Sequence, residues 1–178
     1  MHFIALLAVL SGEGLEPCGE DIDRLIGIRA SVVYTGWDKD LDLESGPGYE
    51  IDFRGVFNPR STTRYFAGLG FAGWNAENEN PSVDVDIWMY RLTGGIEVDF
   101  RTLDVGFAIS TGAMYFHRTG ESDDAPFLEF ELSLGYKPTP YLRIGLVAIA
   151  NHAYSAFNHK HNHLVHNYSV GPGVEFRF

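Results

Sequence analysis

Several features that are common in proteins are scarce in this sequence. No stretch approaches the roughly 18 apolar residues that a membrane-spanning helix needs, and the longest candidate is FIALLAVL near the start. Cys18 is the only cysteine, so no intramolecular disulfide can form. Acidic residues outnumber basic ones and give a net charge of -11, which argues against nucleic acid as a partner. The sequence therefore disfavours helical membrane proteins, disulfide scaffolds and nucleic-acid-binding proteins.

The N-terminal segment differs in character from the rest of the chain. MHFIALLAVLSGEGLEPC has the short apolar core of an export signal, but it lacks a basic first region and an A-x-A cleavage site. We predict that residues 1–22 are an export signal or a flexible segment. Residues 23–178 have a length that suits one domain with one core.

What the chain has in abundance is strict alternation of apolar and polar residues, which recurs in roughly eight segments. The last segment, YSVGPGVEFRF, is an example that ends on an aromatic residue. Each segment is long enough to cross a bilayer as a tilted strand of about 9 to 11 residues. The pattern predicts an all-β protein with eight strands.

The connections between these segments alternate in length. NPRS, RT and KPTP are short, whereas WDKDLDLESGPG, NAENENPSVDVD, RTGESDDAP and SAFNHKHNHLVH are longer and polar. Such a rhythm is typical of an antiparallel up-and-down meander whose two ends face different compartments. A soluble lipocalin-like barrel has the same period of two with its faces reversed.

Glycine and lysine favour the membrane barrel over the soluble one. Ten glycines fall on the polar face: Gly27, Gly68, Gly70, Gly95, Gly106, Gly112, Gly135, Gly145, Gly171 and Gly173. Small residues beside large ones fit the cramped inside of a narrow barrel. Lysine is confined to Lys39, Lys137 and Lys160, all in predicted loops or turns. We therefore predict that the polar face is the inside and that the apolar face meets lipid.

Aromatic residues are expected at two levels, as the girdles of a membrane barrel are. One level comprises Phe57, Tyr65, Phe100, Tyr136, Tyr141, Phe176 and Phe178, and the other Tyr34, Tyr49, Trp88, Tyr115, Phe127, Tyr154 and Tyr168.

With this strand count, loop asymmetry and aromatic end, residues 25–178 resemble small eight-stranded bacterial outer-membrane proteins of the OmpA transmembrane-domain type. The resemblance implies location in the bacterial outer membrane, contact with its lipid and lipopolysaccharide, and a monomer. It also implies that the assembly machinery of that membrane reads the terminal strand as a signal. The residues of that signal are Tyr168, Val170, Val174, Phe176 and Phe178.

Charges of both signs are predicted to point inward at comparable depths. They are Arg29, Glu50, Asp52, Arg54, Arg64, Arg91, Glu97, Asp99, Asp104, Glu129, Glu131, Arg143, Glu175 and Arg177. The inside of an eight-stranded barrel is just wide enough for side chains to fill. We therefore expect an ion-paired interior without an aqueous channel, and an envelope-structural or surface-interaction role rather than an enzyme.

Four histidines, His159, His161, His163 and His166, crowd the last long connection. On an extended segment, residues two apart point the same way, so three imidazoles could reach one zinc, copper or nickel ion. His117 could join them. A solvated polar loop without metal is the other interpretation, and no other cofactor is expected.

Clustered carboxylates mark the first three long connections. They could hold divalent cations or meet a basic partner, or simply be solvated, because no ordered calcium-loop motif occurs.

The segment AIANHAYSAFN resembles, incompletely, the lipid A 3-O-deacylase barrels. In that family a His and a Ser two residues apart face lipid and work with a Glu from the following loop. The resemblance implies an alternative function, a lipid A-modifying acyl hydrolase that uses His152 and Ser155. Here Ser155 is three residues away, Tyr154 takes the serine position, and no acid occurs between His152 and Glu175. A Ser-His pair without an orienting acid loses control of its tautomer.

Overall fold

The computed structural model describes residues 26–37, 43–57, 61–77, 84–118, 120–155 and 163–178. Eight strands close into one barrel in chain order, and every neighbouring pair is antiparallel, including the first with the last. The strands are β1 (Ile26–Trp37), β2 (Gly46–Phe57), β3 (Thr63–Glu77), β4 (Asp84–Phe100), β5 (Leu103–Arg118), β6 (Glu121–Thr139), β7 (Leu142–Ser155) and β8 (His163–Arg177). The predicted eight-stranded all-β barrel is confirmed. Within these residues, no helix is long and apolar enough to cross a membrane.

The outer surface of the barrel carries a continuous belt of apolar side chains. Leu69, Leu92 and Val32 are each 61% exposed, and aromatic residues such as Tyr168 lie on the same surface. A water-soluble protein rarely exposes apolar patches of this extent. Strands can cross a bilayer only when closure leaves no free edge, and this barrel is closed. The belt is therefore the lipid-facing surface of a transmembrane barrel.

The two ends of the barrel differ. At the end that we call the turn end, short connections join β2 to β3, β4 to β5 and β6 to β7, and Ile26 and Arg177 lie there too. The β4–β5 connection is only Arg101 and Thr102, and Arg101 adopts a left-handed φ of 51°. The opposite end, which we call the loop end, carries the connections after β1, β3, β5 and β7.

One connection at the loop end is much shorter than the sequence suggested. RTGESDDAP was predicted to be a long loop, yet β5 and β6 remain paired up to Arg118 and Glu121, with Gly120 at φ 85°. The inward-facing Ala125 and Phe127 continue the strand pattern and are buried. Ser122 and Asp124, which precede them, face outward and made the segment look like a loop. Phe127 was expected in an aromatic girdle, and the structure corrects this because its side chain packs inside.

Glycine allows neighbouring strands to approach closely at particular interior positions. A Cβ on Gly68 would lie 2.3 Å from the carbonyl oxygen of Phe53, and one on Gly112 would lie 2.0 Å from that of Tyr90. Backbone atoms cannot swing aside, so any larger residue would push the strands apart. These contacts explain why glycine recurs on the inward face.

Candidate functional site

The interior of the barrel contains the ionisable residues that the sequence placed there. The side chains of all fourteen predicted residues are buried: Arg29, Glu50, Asp52, Arg54, Arg64, Arg91, Glu97, Asp99, Asp104, Glu129, Glu131, Arg143, Glu175 and Arg177. They fall into two clusters at different depths. Each cluster combines arginines with carboxylates, as burial of charge requires.

The first group, which we call the central cluster, consists of Arg29, Arg54, Arg91, Glu50, Asp52, Glu129 and Glu131. Arg91 donates to Glu129 Oε1 over 2.9 Å and to Asp52 Oδ1 over 3.0 Å. Arg29 donates to Asp52 Oδ2 over 2.6 Å and also binds Glu131. Arginine suits this arrangement because its planar fork can bond several carboxylates at once.

The second group, the turn-end cluster, consists of Arg64, Lys137, Arg143, Arg177, Glu97, Asp99, Asp104 and Glu175. Arg177 Nη2 lies 2.6 Å from Glu97 Oε2, and its Nε lies 2.9 Å from Glu175 Oε1. Arg143 Nε donates to Asp104 Oδ1 over 2.6 Å. The side chains pack closely enough that the gap beside Arg54, Arg64 and Arg177 has no room for a water molecule.

Lys137 is a member of the turn-end cluster that the sequence did not reveal. It was predicted to lie in a turn, yet its side chain is buried and its ammonium group binds Asp99, which Arg64 also contacts. The β6–β7 pairing shifts register between Tyr136 and Thr139, so β6 extends through KPT. The KPTP signal made the strand appear to end too early.

The loop-end half of the interior is mostly apolar, which corrects the prediction that the inside is the polar face. We call this group the apolar plug. It comprises Val33, Leu43, Ala72, Trp74, Ala76, Val85, Ile87, Met89, Met114, Phe116, Ala125, Phe127, Val147, Ile149 and Ala153, with Trp37 against it. Trp37 and Trp74 meet edge to face at 5.7 Å. Asn151 lies between the apolar plug and the central cluster. Its amide nitrogen is 3.3 Å from Met89 Sδ and 3.5 Å from Glu129 Oε2.

Acidic side chains surround the plug on the outside of the loop end. Glu77, Asp84 and Asp124 are exposed there, and Asp86 accepts a hydrogen bond from Asn75 over 3.3 Å. On β4, Asp84 and Asp86 lie just beyond Trp88, which belongs to the aromatic level of the lipid-facing belt. Asp84 and Asp86 therefore project above the membrane, where water solvates them.

The histidines are only partly within the described residues. His159 and His161 lie outside them, and the structure gives the backbone but not the side chain of His163. His166 faces outward on β8 and lies opposite His152 of β7, with their Nδ1 atoms 2.5 Å apart. Among the described residues, no three His, Cys, Asp or Glu side chains converge as a metal centre would require.

The hydrolase alternative is not tested by this geometry. His152 faces outward, as that alternative requires, and it packs against Phe130 and His166. Ser155 ends β7, but its side chain is not described. The hydrolase remains a prediction.

The residues of the expected assembly signal share one face of β8. Tyr168, Val170, Phe176 and Phe178 are exposed on the outer surface and Val174 is partly so. The backbone N–H of Phe178 donates to the carbonyl of Ile26 over 2.9 Å, so the last residue takes part in barrel closure. Recognition of this strand by assembly machinery stays a prediction.

Solved structures show what this architecture resembles. Neisserial surface protein A matches with a TM-score of 0.58 and 15% identity, over 86% of this chain and 97% of that one. Ail, the attachment invasion locus protein of Yersinia pestis, in complex with the heparin analogue sucrose octasulfate, matches with a TM-score of 0.57 and 17% identity, over 88% of this chain and all of that one. The fold is that of a small outer-membrane barrel.

The likeness to these outer-membrane barrels agrees with the lipid-facing belt. At this level of identity it establishes the fold alone. No family model matches the sequence, and no curated protein sequence matches it significantly. The narrower resemblances to OmpA transmembrane domains and to lipid A 3-O-deacylases remain predictions.

Proposed function

We propose that this protein is a monomeric, non-conducting barrel of the bacterial outer membrane whose acidic loop end binds a positively charged partner at the cell surface. The lipid-facing belt and the fold support the location. The filled interior supports an interaction role over transport. The observation that carries the choice of partner is the projection of Asp84 and Asp86 beyond Trp88 on β4, with Asp124 exposed opposite Tyr115 on β6.

The charge of the loop end favours cations. The connection from β1 to β2 begins DKDLDLE, and further acids lie on the outer parts of β3, β4 and β6. Clustered carboxylates concentrate cations and speed the encounter with a basic partner. Ail was solved with a polyanion, sucrose octasulfate. The acidic loop end here favours the opposite ligand charge.

Binding to a defined polycation tests this proposal. Protein in nanodiscs of zwitterionic lipid should bind polylysine with an affinity that falls as salt rises, because salt screens exposed charges. Neutralising three outward-facing carboxylates, as in Asp84→Asn, Asp86→Asn, Asp124→Asn, should weaken binding about tenfold. Ser122→Ala, an uncharged change on the same surface, is the matched control.

Two outcomes would overturn the choice of partner. One is binding of sucrose octasulfate as tight as that of polylysine. The other is polylysine binding that the triple substitution leaves unchanged.

Planar-bilayer recording tests the closed interior separately. The wild-type protein should give no steady porin-sized current, because paired charges and the apolar plug fill the space within eight strands. A stable conductance of that size would contradict the filled interior and favour transport, whatever the polylysine experiment shows.

A further inference from the structure

His152 and His166 form the most sharply defined cluster of ligand-type side chains on the outside of the barrel. Their Nδ1 atoms lie 2.5 Å apart and their rings meet at 84° with centroids 4.7 Å apart. Both side chains are partly exposed. They lie one outward-facing position beyond Tyr168 and Ala150 in the β7–β8 ladder, at the edge of the lipid-facing belt. The pair is therefore within reach of water.

Strand pairing holds the two imidazoles in place. His152 and His166 are direct cross-strand partners, and the ladder continues on both sides of them, from Asn151 and Asn167 to Ala153 and Val165. Phe130 of β6 packs edge-on against the His152 ring, with centroids 6.2 Å apart. Little conformational entropy remains to be lost when a ligand joins both rings, which favours binding.

The two Nδ1 atoms point at a common position. In a hydrogen bond between them, one nitrogen donates its proton and the other accepts it. A metal ion that replaces this proton would be bound by both lone pairs. Metal–nitrogen bonds of about 2.0–2.1 Å require the nitrogens to be about 3 Å apart, so side-chain rotations that separate them by roughly 0.5–1 Å suffice.

The composition of the β7–β8 hairpin selects the kind of metal. From Arg143 to Val174 the sequence has no Asp or Glu, whereas it has five of the seven histidines. Calcium and magnesium prefer oxygen ligands, and imidazole suits copper, nickel and zinc.

We propose that His152 and His166 form a two-imidazole binding site for a first-row transition-metal ion, with water at the remaining positions and Cu²⁺ bound more tightly than Ni²⁺ or Zn²⁺. His152 is absent from the four-histidine site predicted from the sequence, so the two sites can be separated by substitution. The proposal does not depend on the acidic loop end or on its partner.

Titration of Cu²⁺ into untagged full-length protein in detergent micelles tests the site. The starting variant carries His159→Asn, His161→Asn and His163→Asn, so that the neighbouring histidines cannot bind the ion. This variant should bind one Cu²⁺ per chain. Its electron paramagnetic resonance spectrum should show coupling to two nitrogens.

Substitutions within the pair then decide the assignment. His152→Ala or His166→Ala, made in the starting variant, should weaken binding at least tenfold. His117→Ala, which removes an exposed histidine of β5, should leave it unchanged. Absence of binding in the starting variant, or binding that survives His152→Ala, would show that the pair is only a hydrogen bond.

Discussion

The turn-end and loop-end halves of the barrel follow opposite rules. In the turn-end half, charged side chains lie inside and apolar ones face outward. In the loop-end half, the apolar plug lies inside, and beyond the aromatic level carboxylates such as Asp84 face outward. The reversal occurs within single strands. On β4, Val85 points inward between outward-facing Asp84 and Asp86, whereas Arg91 points inward between outward-facing Tyr90 and Leu92.

The surroundings of each half explain the reversal. Where lipid surrounds the barrel, the outside must be apolar, and the narrow inside can hold polar groups if they are paired. Where the strands extend into water, the outside is solvated and the inside gains stability from the hydrophobic effect. On β4 the outer face changes from carboxylate to aromatic between Asp86 and Trp88, which marks the membrane surface, whereas the inner face changes from apolar to charged only between Met89 and Arg91.

The largest loss of stability is expected when one buried charge is removed from the turn-end half. Arg91→Ala leaves Glu50, Asp52 and Glu129 without their shared cation. We expect the free energy of unfolding to fall by about 3–5 kcal/mol, because uncompensated buried charge is costly. Urea titration in lipid vesicles, followed by tryptophan fluorescence, measures this change.

Arg101→Ala is the control for the Arg91 substitution. It makes the same change in side chain within an exposed turn, and it should alter the free energy of unfolding by less than about 0.5 kcal/mol. Equal effects at the two positions would contradict the importance of the central cluster.

The apolar plug should respond to lost volume rather than lost charge. Ile87 is fully buried among Trp74, Met89 and Phe116 of the plug. Ile87→Ala should lower the free energy of unfolding by about 2–4 kcal/mol, because it removes buried methyl groups and leaves a cavity. Ile87→Val removes one carbon and should cost about 0.5–1.5 kcal/mol in the same urea titration. If both substitutions cost the same small amount, the loop-end interior is not close-packed.

An added methyl group should destabilise the protein in the interior but not on the lipid-facing surface. A Cβ on Gly70 would lie 2.3 Å from Asp52 Oδ1 and 2.6 Å from Arg91 Nε, whereas one on Gly94 would have no atom within 4 Å. Gly70→Ala should cost about 1–3 kcal/mol through overpacking of the central cluster. Gly94→Ala, measured by the same titration, should be close to neutral. A neutral Gly70→Ala would indicate that the cluster adjusts easily.

Much of the fold could be predicted from the sequence, because alternation with a period of two indicates a strand with one apolar face and one polar face. The eight strands, the short connections and the inward position of residues such as Arg29 and Glu131 followed from this pattern. Closure between β1 and β8 followed from the strand count, since a membrane barrel has no free edge.

The strand segments that the sequence did not reveal lie where the surroundings of a strand change from lipid to water. Asp84 to Asp86 alternate as regularly as the rest, but with the polar residues outward, and the segment was therefore assigned to a loop. Ser122 and Asp124, which also face outward, hid the outer part of β6 for the same reason. The contact of His152 with His166 depends on the register of β7 and β8, which the intervening connection does not specify. Lys137 escaped notice because the nearby prolines suggested an earlier turn.

Barrel closure has a consequence for how the chain reaches its native state. Arg29 and Glu131 are 102 residues apart in sequence, and Arg177 and Glu97 are 80 apart. Until β8 meets β1, a partly inserted sheet would hold these charges next to lipid without their partners, at a cost of several kcal/mol each. Half-formed states are therefore disfavoured against both the unfolded chain and the closed barrel, which makes folding cooperative. Because the decisive contacts are distant in sequence, folding should be slow, with closure as its last step.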